Sequence, residues 1–371
     1  MLAELERHPH ARAVLGPALG EPLRPSHAYL FHGPGGAGKR AAARALAAEL
    51  LADGAGDPDS ARLRVAHGTH PDLTWVAPSG AHEMLVSDID EPVIAAAAKT
   101  PFESRRRVFV IERADELGEE AANRMLKTLE EPASFVHIVL LTDRLGEVLP
   151  TIRSRCQMVR FEAPTEEQAV AAVQRLGVGE EEAMACVRLA LQDSERAAEL
   201  ASPEGQALRA AAESYARAAL ARTAAVERPW APMLAAARAR GASAGASLES
   251  QQAAELELVS RKERKRVQTA WDERIKRTRR RVQTGALDLA LQIVSLWFAD
   301  LAAAALEAPD LVRNVDRRAQ LMQDRPADRD PVRLRAAIEL VEETRRRFEL
   351  NVSEDLACEA LAYRLEEVLA T

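Results

Sequence analysis

The sequence predicts an α/β unit with a parallel sheet followed by an all-helical remainder, and three observations carry that prediction. Five short β-like runs, Tyr29 to His32, Leu73 to Val76, Val108 to Ile111, Val136 to Thr142 and Met158 to Phe161, alternate with helical segments through the first 162 residues, the order that builds a parallel sheet covered by helices. After Pro164 such runs stop. The chain is 47% apolar but only 4% aromatic, an Ala- and Leu-rich composition that suits helices better than a β-sandwich.

Each element has a local reason. The segment after Glu119 places Ala122, Met125, Leu126 and Leu129 at helical spacing, and Pro132 ends it. Thr165 and Gln168 form a capping box, so the all-helical part begins there and continues to about Thr223 as two to four short helices. The small, polar run Gly241 to Ser247 reads as a flexible loop near 241–250. Leu287, Ala290, Leu291, Val294 and Phe298 then line one side of a helix that is buried over most of its surface. The resulting division is 1–163, an α/β domain, 164–224, a small helical domain, and 225–371, a helical C-terminal domain.

Composition narrows the function classes. The 371 residues suffice for two or three domains with real cores. Lys and Arg total 50 against 57 Asp and Glu, a formal net charge of −7, so any nucleic-acid binding has to come from a local patch. The three cysteines, Cys156, Cys186 and Cys358, are far apart, which suggests neither a disulfide framework nor a metal site and makes a reducing cytoplasm the default. Charged residues in the first twelve positions argue against a signal peptide. The most apolar stretch, Gly285 to Leu306, is interrupted by Asp288, Gln292 and Asp300, so no membrane partner is expected.

The chemistry-bearing motif follows the first strand: Gly33-Pro-Gly-Gly36-Ala-Gly38-Lys39-Arg40, then an Ala-rich helix. In this strand, loop, helix context, backbone N–H groups point at phosphate oxygens and Lys39 adds a point charge. A working nucleoside triphosphatase places Ser or Thr after the Lys to ligate the Mg²⁺ that bridges the phosphates; Arg40 cannot ligate a cation. The third strand runs into Glu112-Arg113-Ala-Asp115. Glu112 can hold a metal-bound water, but Arg113 stands where a carboxylate would orient the attacking water and cannot serve as a base. The alternative that Asp115 substitutes stays open. His67 and His70 lie in a polar loop without softer ligands and are read as solvated residues, not as a metal site.

Five ordered segments give the chain a family resemblance. They are His27-Ala-Tyr-Leu-Phe31, Gly68-Thr-His-Pro-Asp-Leu73, Lys99-Thr-Pro-Phe-Glu103, Asn123-Arg-Met-Leu-Lys-Thr-Leu-Glu-Glu-Pro132 and Leu149-Pro-Thr-Ile-Arg-Ser-Arg-Cys156. Together they resemble the AAA+ clamp-loader subunits of bacterial DNA polymerase III. The resemblance is good over roughly residues 20 to 165, weak in the following helical segment, and in the C-terminal third extends only to helical character.

What the resemblance implies is a RecA-like AAA+ domain with a degenerate P-loop, a helical lid and a C-terminal collar. The nucleotide pocket would comprise Gly33, Gly36, Gly38, Lys39, Arg40, Glu112, Thr142 as a sensor and Arg196 as the lid arginine; whether ATP binds stays open. Arg155 would reach in trans toward a neighbour's nucleotide as an arginine finger. The implied role is that of the stator in DNA replication, with tau/gamma-like motor subunits and a clamp-opening delta-like subunit as partners, and with the sliding clamp and primer-template DNA met through the complex. Related subunits often carry a four-Cys zinc module; the stretch from Asp53 to His70 has no cysteine, so no zinc is expected. The rival readings are an active motor ATPase of the same family and a non-replicative AAA+ nucleotide-binding scaffold.

One feature falls outside this picture. Residues 261 to 281 hold eleven Lys or Arg against three acidic residues. In order of preference the run is a solvated helix face with acidic partners, a phosphate-contacting stripe with Trp271 as its single aromatic, or a contact surface for another subunit.

Overall fold

The computed structural model describes residues 5–20, 23–78, 84–258, 261–324, 331–348 and 352–370. They form two compact units, Met1–Pro164 and Thr165–Thr371.

The first unit runs α1 (Pro9–Leu19), β1 (Ala28–His32), α2 (Lys39–Ala52), α3 (Pro58–His67), β2 (Leu73–Val76), α4 (Val86–Ile89), β3 (Arg107–Ile111), α5 (Glu119–Glu130), β4 (Val136–Thr142), α6 (Pro150–Arg153) and β5 (Gln157–Arg160). The five strands are parallel in the order β2-β3-β4-β1-β5. Each expected strand is present within a residue or two.

Strand periodicity splits the core between the two sheet faces. Tyr29, Phe31, Val108, Val110, Val139 and Leu141 pack with Leu46 and Leu50 of α2. The intervening Leu30, Phe109, Ile111, Ile138 and Leu140 pack with Met125 and Leu129 of α5. A sheet covered on both faces needs apolar residues at every position, which is why β4 is buried throughout. The strands' C-terminal ends therefore emerge side by side at one edge, where loops can gather functional residues.

The second unit comprises α7 (Glu166–Gln174), α8 (Glu180–Leu189), α9 (Ser194–Ala201), α10 (Pro203–Ala221), α11 (Ala224–Glu227), α12 (Trp230–Leu258), α13 (Arg261–Ala305), α14 (Arg318–Asp324), α15 (Pro331–Arg347) and α16 (Glu354–Ala370). The capping box is formed: the Thr165 hydroxyl accepts from the Gln168 N–H, and Gln168 Oε1 accepts from the Thr165 N–H. One apolar core runs from Ala169 to Leu369, so residues 165–224 and 225–371 share it. Polar contacts also cross that line: buried Arg209 reaches Asp316 at 2.7 Å and Asn314 at 3.0 Å, and Tyr215 donates to the Cys358 carbonyl at 2.5 Å.

The segment at 241–247 is helical, within α12, and corrects the expected flexible loop. Its glycines serve close packing of α12 on α13. A Cβ on Gly241 would stand 2.7 Å from the Arg279 carbonyl oxygen, and one on Gly245 would stand 2.0 Å from Arg279 Nε. Composition alone cannot tell a small-residue contact stripe from a loop.

The basic run lies on α13, where Arg279 pairs with Glu249 at 2.5 Å and Arg280 with Glu354 at 3.2 Å. Leu287, Ala290, Leu291, Val294 and Phe298 are fully buried. Val267–Ala305 is long and apolar enough to cross a membrane by length and composition, but its most apolar window is 78% buried within the protein, as in a core helix.

Candidate nucleotide-type site

The glycine-rich loop joins β1 to α2 at the C-terminal edge of the sheet. Gly33 has φ 146°, and a Cβ there would lie 2.2 Å from the Phe161 carbonyl oxygen. Gly38 adopts the left-handed conformation at φ 88° and caps α2; L side chains disfavour that geometry. Gly36 is also left-handed, at φ 69°.

Lys39 is 7% exposed, and its ammonium donates to the Gly33 and Pro34 carbonyls at 2.6 Å each. It also pairs with Asp143 at 2.6 Å. That carboxylate follows directly on β4, whose Thr142 is in register with His32 of β1. Neighbouring strands thus bring Lys39 and Asp143 together.

Arg40, half-exposed, forms an ion pair with Glu112 at the end of β3. The second Glu112 oxygen accepts from Trp75 Nε1 at 2.6 Å, and Arg44 lies 4.7 Å over the Trp75 ring. Both carboxylate oxygens are therefore engaged. Arg113 adopts a left-handed backbone at φ 52° and pairs with Asp115 at 3.3 Å and Glu116 at 2.9 Å. The buried Asp115 carboxylate also accepts the Thr142 hydroxyl at 2.7 Å, and that hydroxyl accepts the Arg144 N–H at 3.0 Å. Asp115 is thus tied into a turn between two strand ends, where burial and its two partners, Arg113 and Thr142, suit it to structure.

These residues do not fit a magnesium-bound nucleotide: no hydroxyl follows Lys39, and Glu112 is held by Arg40 and Trp75.

The N-terminal segment reaches the loop from above β5. Arg7 Nη2 donates to the Ala37 carbonyl at 3.3 Å, and buried His8 sits 3.1 Å from Glu162 and edge-on to Phe161. Burial lowers the His8 pKa below its ordinary value, with Glu162 opposing that shift.

The remaining predicted residues lie elsewhere. Arg155, one residue past α6's C-cap, pairs with Glu130 of α5 and donates to the Thr151 carbonyl at 2.9 Å. Arg196 belongs to the second unit, on α9, where Nη1 donates to Gln292 at 3.3 Å. His70 is buried, accepting the Asp72 N–H at 3.2 Å and facing Glu103 at 3.2 Å, so it is a packed residue of the loop and not solvated. His67 is exposed. Sequence reasoning missed Asp143, Trp75 and Arg7; of these only Asp143, placed directly after a strand-end Thr, carried a local signal.

Residues 21–165 match the family model described as DNA polymerase III, delta subunit. Over 143 residues the chain is 37% identical to the DNA polymerase III subunit delta' of Pseudomonas aeruginosa, covering 37% of this chain and 44% of that protein. Over 153 residues it is 38% identical to the Bacillus subtilis delta' subunit, covering 40% of this chain and 45% of that one.

Residues 21–165 are similar to DNA polymerase III delta' subunits.

A DNA polymerase III subunit gamma/tau from Mycobacterium bovis is 35% identical over 165 residues, covering 43% of this chain and 28% of that protein. Each match spans less than half of the relative's length. The matched residues hold the five-stranded parallel sheet, and the glycine-rich loop, Arg40, Glu112, Arg113 and Arg155 all lie among them. Arg196 and the basic run lie outside the matched residues.

Proposed function

We propose that this chain is a stator-type clamp-loader subunit in DNA replication, cytoplasmic and assembled with tau/gamma-like motor subunits and a clamp-opening delta-like subunit. The sliding clamp and primer-template DNA are met through that complex. Its contribution is positional, with residues 164–224 acting as a lid and 225–371 as a collar.

The observation that carries the reading is the pair of arginines in the pocket. Arg40 replaces the metal-ligating hydroxyl, and Arg113 replaces the carboxylate that would orient water, so the chain lacks the parts for hydrolysis on its own. Arg155 acts in trans, where a planar, permanently charged fork stabilises charge on a transferring γ-phosphoryl group. Its partial exposure and its contact with a half-exposed glutamate support that role, because such a pair exchanges partners at little cost.

Reconstitution with motor subunits tests this. An Arg155→Ala chain is expected to assemble normally while lowering the ATPase rate of the complex; unchanged turnover in that complex overturns the finger assignment. The intact Lys39 cradle favours the motor reading instead, which is supported if the isolated chain turns over ATP and Lys39→Ala abolishes it.

A further inference from the structure

The helical unit has a part that its core does not use. The apolar core takes residues of α12 up to Ala237 and of α13 from Ala286 onward. Among the described residues from 246 to 281, only Trp271 and Ile275 are buried. Polar contacts keep the two helices paired there: Gln252 Nε2 donates to Asp272 at 2.8 Å, and Arg264 Nη2 to the Leu256 carbonyl at 2.8 Å.

This stretch holds eleven Lys or Arg against six Asp or Glu, in a chain whose net charge is −7. Arg279 and Arg280 have acidic partners, but among the described residues Lys265, Arg274, Lys276 and Arg277 have none. Lys265 and Lys276 are exposed and eleven residues apart, so they share one line along α13, about 16 Å long, with Arg277 beside it. Cations held without partners at that spacing call for an extended, repeating anion.

The kind of partner follows from what the stretch lacks. A protein interface needs apolar anchors at its centre, and among the described residues here no large apolar side chain is exposed. A single nucleic-acid strand needs an aromatic platform, but Trp271 is buried and Arg274 lies 4.9 Å over its ring. A duplex backbone needs neither. It carries one charge per about 1.7 Å of axis, so a line of this length meets about ten phosphates.

We propose that the α12–α13 pair is a docking surface for the phosphate backbone of duplex DNA, without sequence preference, and that Lys265, Lys276 and Arg277 make the contacts. The choice of DNA as the duplex rests on the replication reading; the electrostatic contact does not. The chain then touches DNA itself, in addition to meeting it through a complex.

The test is fluorescence anisotropy of a labelled DNA duplex of about 20 base pairs on the full chain, as salt is raised from about 50 to about 200 mM. Three phosphate contacts give a log–log slope of about −3, an affinity loss of roughly 40-fold over that range. Lys265→Gln/Lys276→Gln/Arg277→Gln is expected to lose most of that slope and to bind about tenfold or more weakly at the lower salt. Arg12→Gln/Lys99→Gln/Arg175→Gln removes the same charge from exposed positions elsewhere and is expected to bind as the wild type does. The proposal is overturned if the wild type does not bind the duplex, if a single strand of equal length binds as tightly, if an RNA duplex is preferred, or if the two variants bind alike. The wild-type slope needs no variant to fold, and circular dichroism checks the two that do. Assembly with motor subunits reads the stator assignment separately.

Discussion

Asp72 accepts the backbone N–H of Phe102 at 2.5 Å, and its carboxylate also takes those of Glu103 at 3.0 Å and Ser104 at 2.9 Å. The fully buried carboxylate thereby closes the loop leading into β3 onto the start of β2. Two segments that gave the family resemblance, ending at Leu73 and Glu103, are thus halves of one structure. Replacing Asp72 by Ala would leave several N–H groups without their acceptor, so chemical denaturation should report a loss of about 3 kcal/mol or more. Asp72→Asn keeps one acceptor oxygen and should lose less; equal losses would contradict this account.

The two helix-packing glycines should separate cleanly. At Gly241 an added methyl meets backbone, which cannot yield without moving α12 from α13, so Gly241→Ala should destabilise by about 1–3 kcal/mol. At Gly245 it meets the Arg279 side chain, which can swing aside, and the better helix propensity of Ala offsets the disturbance at up to about 1 kcal/mol. Thermal melts of the two variants should therefore rank Gly245→Ala above Gly241→Ala.

Acid sensitivity has a specific contributor. His137 is buried in β4, stacked 5.7 Å from His27, and burial pushes its pKa down to about 4 from 6.5. Below pH 6.5 the unfolded chain takes up a proton that the folded chain refuses. The stability tied to this neutral imidazole is thus complete above 6.5 and lost as pH falls toward 4, at a slope approaching about 1.4 kcal/mol per pH unit. Burial lowers His32 and His70 in the same sense. Urea midpoints from pH 7 to 4 should fall less steeply for His137→Gln than for the wild type.

Arg155 should be dispensable for folding. Its contact with Glu130 is partly exposed, and such pairs contribute about 0–1 kcal/mol. Arg155→Ala and Glu130→Ala should each shift the unfolding midpoint only slightly; a large loss in either would mark the arginine as structural.

The strands were readable because a sheet covered on both faces demands continuous apolar runs, and β4 from Val136 to Thr142 is such a run. The glycine-rich loop was readable because its glycines and lysine fall within seven consecutive residues, 33–39. Lys39 with Asp143 was not, since it depends on β1 and β4 lying side by side, which follows from strand order and not from any local pattern. Arg7 on Ala37 was hidden because it joins residues 30 positions apart with no pattern linking them. The helical course of 241–247 was misread because the role of Gly241 is set by Arg279, on the following helix.

The carbonyl of Phe161 leaves no room for any side chain at residue 33. Whatever the loop binds, the domain must keep that opening glycine to seat the chain against its neighbouring strand. The first glycine of this loop is therefore demanded by packing alone, before any ligand is considered.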